Sequence, residues 1–444
     1  MDTVRIYSEL ARLAGDSAVP GAQFAVHDGA EMWTCQLGVE ERGDGRLLTA
    51  DSKVPIGSIS KTFTAALIMV LVSDGDLDLD VPIAEYLPEL RRKTPDDGGR
   101  LTVRHLLSHT AGLPSDREHP GASSLRRHAL DAFRDLDPLD QPGRVFSYSN
   151  IGYVIAGHLI EVATGMSWWE AMELVLLKPL GLSPTFVVGP GPRGRTATGH
   201  SVNRALGRVR PVRQSLAPID APAGAIAASA SDLVVLGRLL AGAEYQDLIR
   251  PEVLEQMRTP APHAEPFGVA DGWALGLALY RDGDRAWVGH DGTADGTSCH
   301  LRIEPASGTV VALTTNGSTG FPMWHELVIR LRDLGLPIGD YHGVRQVETP
   351  PATRAEESRC GGGYRNGEVD YEVCDTGTEL SLSVDGELYG DLILHAGFVF
   401  AVRNAETGEI DQTGRFLRDR HGRVEWIQVG GRLARRHHRA QHVA

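Results

Sequence analysis

Cysteine is scarce. Cys35, Cys299, Cys360 and Cys374 are spread over 444 residues and fit neither a disulfide framework nor a zinc spacing. Lysine is scarcer still: of 44 basic residues only Lys53, Lys61, Lys93 and Lys178 are not arginine. There is no excess of basic charge. A formal net charge of −14 excludes a phosphate-binding surface of the nucleic-acid type and does nothing to favour an anionic membrane. No run reaches the ~18 apolar residues of a membrane span. The opening MDTVRIYSELARLAG has no apolar signal-peptide region and reads as an amphipathic helix. These absences lead us to expect a cytoplasmic protein with free thiols, bound to neither nucleic acid nor membrane. Internal repeats and low-complexity stretches are also missing, and the length calls for two or three folding units.

What the chain does have is concentrated at residues 56–72, IGSISKTFTAALIMVLV. Ser58 and Lys61 stand three apart at the head of an apolar helical run, so they share a helix face. A serine hydroxyl needs a neighbouring base to become a nucleophile, and a neutral lysine amine supplies one. The helix N-terminus near Ser58 offers a backbone N–H to a developing oxyanion. In isolation the same four residues read more readily as an N-cap serine beside a solvated lysine, and the scarcity of lysine and the two motifs below decide against that.

Two further motifs follow. Tyr148-Ser149-Asn150 lies between the Pro142-Gly143 turn and a helical pattern beginning at Ile151. A phenol there relays protons, and an asparagine amide holds a substrate carbonyl. His290-Asp291-Gly292-Thr293 is expected at the end of a strand. Gly292 would let a substrate backbone lie alongside, and the Thr293 N–H would be a second oxyanion donor. Two look-alikes are set aside. Asp74, Asp76, Asp78 and Glu85 imitate a calcium loop but place Leu79 where glycine is required. His105 and His109 have zinc spacing without the glutamate of H-E-x-x-H, so hydrogen-bonding roles are expected. No cofactor or metal is implied.

The three motifs, in this order, resemble the serine β-lactamase and penicillin-binding protein superfamily, specifically its class C branch with H-x-G in place of K-T-G. SDGDLDLDVPIAEYLPEL, LTVRHLLSHTAGLP, KPLGLSPT and PAGAIAASASDL carry the same likeness. The resemblance implies an α/β (α+β) catalytic domain over 1–340. Its antiparallel sheet would come from 1–57 and 270–340, with a helical region over 58–269. Strands are expected at 273–280, 285–290, 297–303 and 309–315, and a closing helix at 321–335. A linker at 341–358 would lead to a lipocalin-like β domain at 359–444, with strands at 369–374, 379–384, 388–402, 413–419 and 423–428.

SYSNIGY, MSWWEAMELVLLKPLGL, EPFGVADGWALGL and the tail TGRFLRDRHGRVEWIQVGGRLARR are similar to the stand-alone penicillin-binding-protein-type thioesterases, which macrocyclise nonribosomal peptides. That likeness implies catalysis by Ser58, Lys61, Tyr148, Asn150 and His290, with an oxyanion hole from the Ser58 and Thr293 N–H groups. Substrate contacts are expected from Gly292, Trp273, Arg435 and Arg436, with Arg432 beside them. It also implies a peptide delivered as a phosphopantetheine thioester on a peptidyl carrier protein, and a D-configured C-terminal residue. A cytoplasmic esterase or D-amino-acid amidase, or a silent binding protein with the same fold, remain the alternatives.

Overall fold

The computed structural model describes residues 2–91, 101–117, 124–190, 194–242, 244–341, 350–375, 377 and 379–437. Seven antiparallel strands form the central sheet. From one edge they run Met32–Gly38, Gly21–Asp28, Thr309–Thr315, Thr297–Glu304, Arg285–Ala294, Ala278–Asp282 and Gly272–Trp273. Thr297–Glu304 and Thr309–Thr315 are buried along their whole length, as strands covered on both faces must be. Helices Thr3–Asp16 and Gly320–Asp333 pack together on one face; the first buries Ile6, Leu10 and Leu13 and exposes its charged side. Ala230–Ala241 covers the other face against Thr309–Thr315.

The helix Ser60–Asp74 is apolar all round, which suits only a core position. Every residue from Ser60 to Leu71 is buried, and Gly75, at φ +87°, ends the helix in a left-handed cap. Contrary to the sequence reading, one stretch among the described residues, Gly57–Asp74, is long and apolar enough to cross a membrane by length and composition; it is mostly buried and forms the axis of the helical region. Around it pack Asn150–Thr164, the short helix Ala221–Gly224 and the turn Met172–Leu177.

The C-terminal residues close into an eight-stranded antiparallel barrel, Gly362–Asn366 through Arg432–His437. Tyr364, Leu382, Phe400, Phe416 and Ile427 fill it. This is the implied architecture, an antiparallel sheet flanked by helices followed by a small all-β unit.

Several elements differ from the sequence reading. WALGLALY is not one strand, because Gly276 takes φ +73° and turns the chain between Gly272–Trp273 and Ala278–Asp282. The stretch 388–402 breaks at Gly397 and Phe398, both at positive φ, into Glu387–His395 and Val399–Asn404. A polar hairpin, Gly199–Asn203 with Arg208–Val212, interrupts the helical region. The expected linker is partly barrel: the Ala352 N–H donates to the Leu394 carbonyl (3.1 Å), and a helical turn spans Arg354–Glu357. Its residues 342–349 lie outside the described residues.

Candidate active site

Ser58 sits on the turn Gly57–Ile59, immediately ahead of the buried helix. Two glycines lock this turn against strand Arg285–Ala294. A Cβ on Gly57, at φ +51°, would collide with the Thr293 carbonyl, and one on Gly292 would collide with the Ile56 carbonyl. On its Cα side Gly292 therefore admits the chain's own backbone, and it also lines the cavity beside Ser58. The strand also runs four residues past His290 to Ala294 and does not end at the motif. The interlock sets the backbone of Ser58 beside that of Thr293.

Lys61 is completely buried. Its Nζ lies 3.1 Å from Ser58 Oγ and donates to the Ala223 carbonyl at 2.9 Å. Burial brings the amine down to about 7, with Arg432 working the same way and Asp116 and Asp220 opposing. A lysine that is half neutral near pH 7, within hydrogen-bond distance of a serine, is a competent general base.

Tyr148 enters from a loop tied down on both sides. The Ser149 N–H donates to His109 Nδ1 (3.0 Å), the Ser147 N–H to the His109 carbonyl (2.8 Å), and Ser149 Oγ to the Pro114 carbonyl (2.6 Å). The His109 ring stacks on Tyr148 at 4.3 Å and 29°. Burial and the Lys61 charge push His109 well below its ordinary pKa, so it is neutral. Its Nδ1 accepts a hydrogen bond from the Ser149 N–H, so Nε2 carries the ring hydrogen. Lys61 Nζ lies 5.0 Å over one side of the Tyr148 ring, and the Arg432 guanidinium 5.7 Å from its centre. Burial raises the phenol above its usual range, although nearby Ser58 opposes this; the hydroxyl makes no hydrogen bond of good geometry.

Asn150, first residue of helix Asn150–Thr164, gives an N–H to Asp116 at 2.6 Å and leaves its buried Oδ1 without a partner. His290 donates from Nδ1 to the Asp291 carbonyl at 2.5 Å, which leaves the buried Nε2 as an unpartnered acceptor. Burial, reinforced by Lys61, pushes this imidazole down to about 4. It is neutral at pH 7 and binds no carboxylate by charge. Beneath it, burial works to raise the Asp291 carboxyl, but Arg302 and His300 outweigh that and hold it well below the usual carboxylate range.

Ser58 stands between two cavities. One, of about 470 Å³, is lined by Tyr148, Trp273, His290, Phe321 and Tyr341, with Arg432 at its rim. The other, of about 430 Å³, is lined by Lys61, Asn150, Gln214 and the carboxylates Asp116, Asp220 and Asp295. Trp273 is 2% exposed and sits edge-on to His290 at 5.2 Å.

The structure brings Ser58, Lys61, Tyr148, Asn150, His290, Gly292, Thr293 and Trp273 into this cleft, and keeps Arg435 and Arg436 out of it. Arg435 bonds Glu425 (3.0 Å), and Arg436 folds over Tyr364 and donates to the Arg359 carbonyl (2.7 Å). Distance along the strand explains this: Arg432 stands at its head beside the cleft, and Arg435 and Arg436 lie about 10–13 Å further on, where they bond barrel residues. Sequence reasoning missed Asp116 and the role of His109 as the platform for Tyr148. His109 lies in LTVRHLLSHTAGLP, where its spacing reads only as a zinc look-alike, and Asp116 stands two residues beyond that stretch.

The barrel completes the wall. The Tyr148 N–H donates to the Gly431 carbonyl (3.0 Å), Asn366 accepts from the Ser115 N–H (2.7 Å), and Trp426 donates to the Leu139 carbonyl (3.1 Å).

Comparison with known proteins places these features. The family model described as Beta-lactamase matches residues 8–334. Penicillin-binding protein 4 of Amycolatopsis lactamdurans is 33% identical over 356 residues, covering 75% of this chain and 89% of that protein. The unguisins hydrolase ungD' of Aspergillus campestris is 25% identical over 316 residues, 67% of this chain and 58% of its own length. Among solved structures, SurE superposes with a TM-score of 0.86 at 37% identity over 98% of both chains, barrel included. SurE holding D-Leu gives 0.84 at 37% identity, over 98% of this chain and 99% of that one.

Proposed function

Because the chain belongs to the beta-lactamase family, as a homologue of the penicillin-binding-protein type, we propose that it releases a peptide from a carrier-bound thioester by head-to-tail macrolactamisation. It is an enzyme acting on acyl or amide bonds; the thioester donor and the cyclisation are our reading. Its main support is the cleft itself, where a serine–lysine pair with the amine near neutrality is walled by a barrel that SurE shares along its length. The SurE complex with D-Leu supports a D-configured residue at the acyl position, and the likeness to an unguisins hydrolase supports acyl-bond chemistry on this scaffold.

In this reading Lys61 takes the Ser58 proton as Oγ bonds to the thioester carbon. The backbone N–H groups of Ser58 and Thr293 hold the oxyanion. The C–S bond breaks, and the thiolate leaves with a proton passed from Lys61 through Tyr148. The peptide's own N-terminal amine then attacks the seryl ester, its proton goes back by the same route to Ser58 Oγ, and the lactam departs. Asn150 Oδ1 and His290 Nε2, both unpartnered acceptors, take substrate N–H groups. Tethering the amine beside the ester makes its attack effectively unimolecular, and the aromatic wall keeps water away.

Matched peptidyl pantetheine thioesters ending in D- or L-leucine test the reading by mass spectrometry. Cyclic product from the D series and little turnover of the L series is the expected result. Linear acid alone from both series would favour the hydrolytic reading, which the 27% identity to a D-stereospecific amidohydrolase of Streptomyces supports.

A further inference from the structure

The barrel carries a second concave surface, away from Ser58. A groove of about 600 Å³ is lined by Phe267, Gly397, Val399 and residues Arg415 to Arg420, at and just beyond the end of strand Ile410–Arg418. At this end of the barrel Arg359 and Arg418 both stack on Phe398, their guanidinium carbons 5.1 Å from the ring centre. Arg359, Arg418 and Arg420 are exposed and make no ion pair among the described residues. Two neighbouring arginines are partnered, Arg415 with Glu265 and Arg423 with Asp419, both at 2.8 Å. Glu356 lies close enough to feel Arg359 and Arg418. In a chain of net charge −14 this local cationic surface runs against the whole. Guanidinium groups held on an aromatic ring cost little entropy to order and suit phosphate and carboxylate geometry.

Two segments of chain lead from the groove to the cleft. Phe267 lines the groove, and the next two residues, Gly268 and Val269, line the cavity beside Ser58. Strand Ile410–Arg418 makes the same connection, with Gln412 at the cavity and Arg418 at the groove. Six residues of strand span about 20 Å, the order of an extended pantetheine arm.

We propose that this groove docks the carrier protein, with Arg359, Arg418 and Arg420 receiving the phosphodiester of the arm and the acidic surface around its attachment point. The arm then runs past Phe267–Val269 and delivers the thioester to Ser58. This rests on the function proposed above, and the experiment separates the two. One peptide ending in D-Leu is presented in two forms, as a thioester on a 4′-phosphopantetheinyl carrier protein and as an N-acetylcysteamine thioester. Reversing charge with Arg418→Glu plus Arg420→Glu raises KM for the carrier-bound form about tenfold or more. It leaves kcat, and both constants for the N-acetylcysteamine form, at the wild-type value. Wild-type kcat/KM falls with added salt for the carrier-bound form alone. Circular dichroism confirms that the double variant is folded, and Arg418→Lys plus Arg420→Lys restores most of the loss. Equal kcat/KM for wild type and double variant on the carrier-bound form, with the N-acetylcysteamine form still turned over, overturns the docking surface and leaves the proposed function standing. Turnover of neither form by the wild type overturns both.

Discussion

Two serines sit two residues apart at the head of the core helix, and their surroundings assign them different work. Ser58 faces Lys61 and both cavities. Ser60 is wholly buried, and its Oγ accepts the Ile226 N–H at 3.0 Å. Ser58→Ala should abolish the acyl adduct seen in intact-mass spectra after exposure to a peptidyl thioester. Ser60→Ala should keep the adduct but lower stability by about 1–3 kcal/mol, because it strands a buried N–H; chemical denaturation reads that loss. A second expectation comes from Lys61, whose amine is held at about 7 by burial. Only the neutral amine accepts the serine proton, so acylation is lost as pH falls through that value and levels off above it. Pre-steady-state acylation rates between pH 5.5 and 9 should rise tenfold per unit on the acid side, with a midpoint near 7. A midpoint near the free lysine value, about 10.4, would remove Lys61 as the base.

At the scale of elements, the contact that matters is the press of turn Gly57–Ile59 onto strand Arg285–Ala294. Gly292→Ala puts a methyl group against the Ile56 carbonyl, so turn and strand must part. The expected cost is about 1–3 kcal/mol of stability. Acylation should slow about a hundredfold as the oxyanion donors lose alignment. Thermal melting and single-turnover acylation measure the two effects separately. The Ser58–Lys61 spacing was legible because a helix dictates it, and the loop before Asn150 because Pro142-Gly143 and the apolar onset at Ile151 bracket it. Other features were hidden by long-range packing. Gly276 breaks a strand pattern because it must pass Ala65 and Tyr153, which are distant in sequence. The hairpin Gly199–Val212 carries mostly exposed, polar residues and offers no apolar alternation to read. The last barrel strand is absent from the expected set, since its buried Leu433 and Ala434 are outnumbered by arginines.

At the scale of the molecule, the catalytic cleft belongs to two folding units at once. Arg432, from the barrel, disfavours the charged form of Lys61 and lies 3.8 Å from Asp116, which favours it. Arg432→Ala removes the first influence and leaves the second unopposed, so the amine should hold its proton more tightly. The acylation midpoint then moves to higher pH, by about one pH unit. The same pH series checks this, and an unchanged midpoint would remove the barrel from the electrostatics of the base.

The last described strand, Arg432–His437, closes the barrel by pairing with Gly362–Asn366 and Val424–Val429, while Gly431 just before it holds the Tyr148 backbone. During synthesis this strand leaves the ribosome after every other described element. A nascent chain therefore carries its serine, lysine and tyrosine without the partner that seats the tyrosine until this strand has emerged. A product cut short before Gly431 keeps the serine–lysine spacing but loses the backbone bond that holds the tyrosine over it.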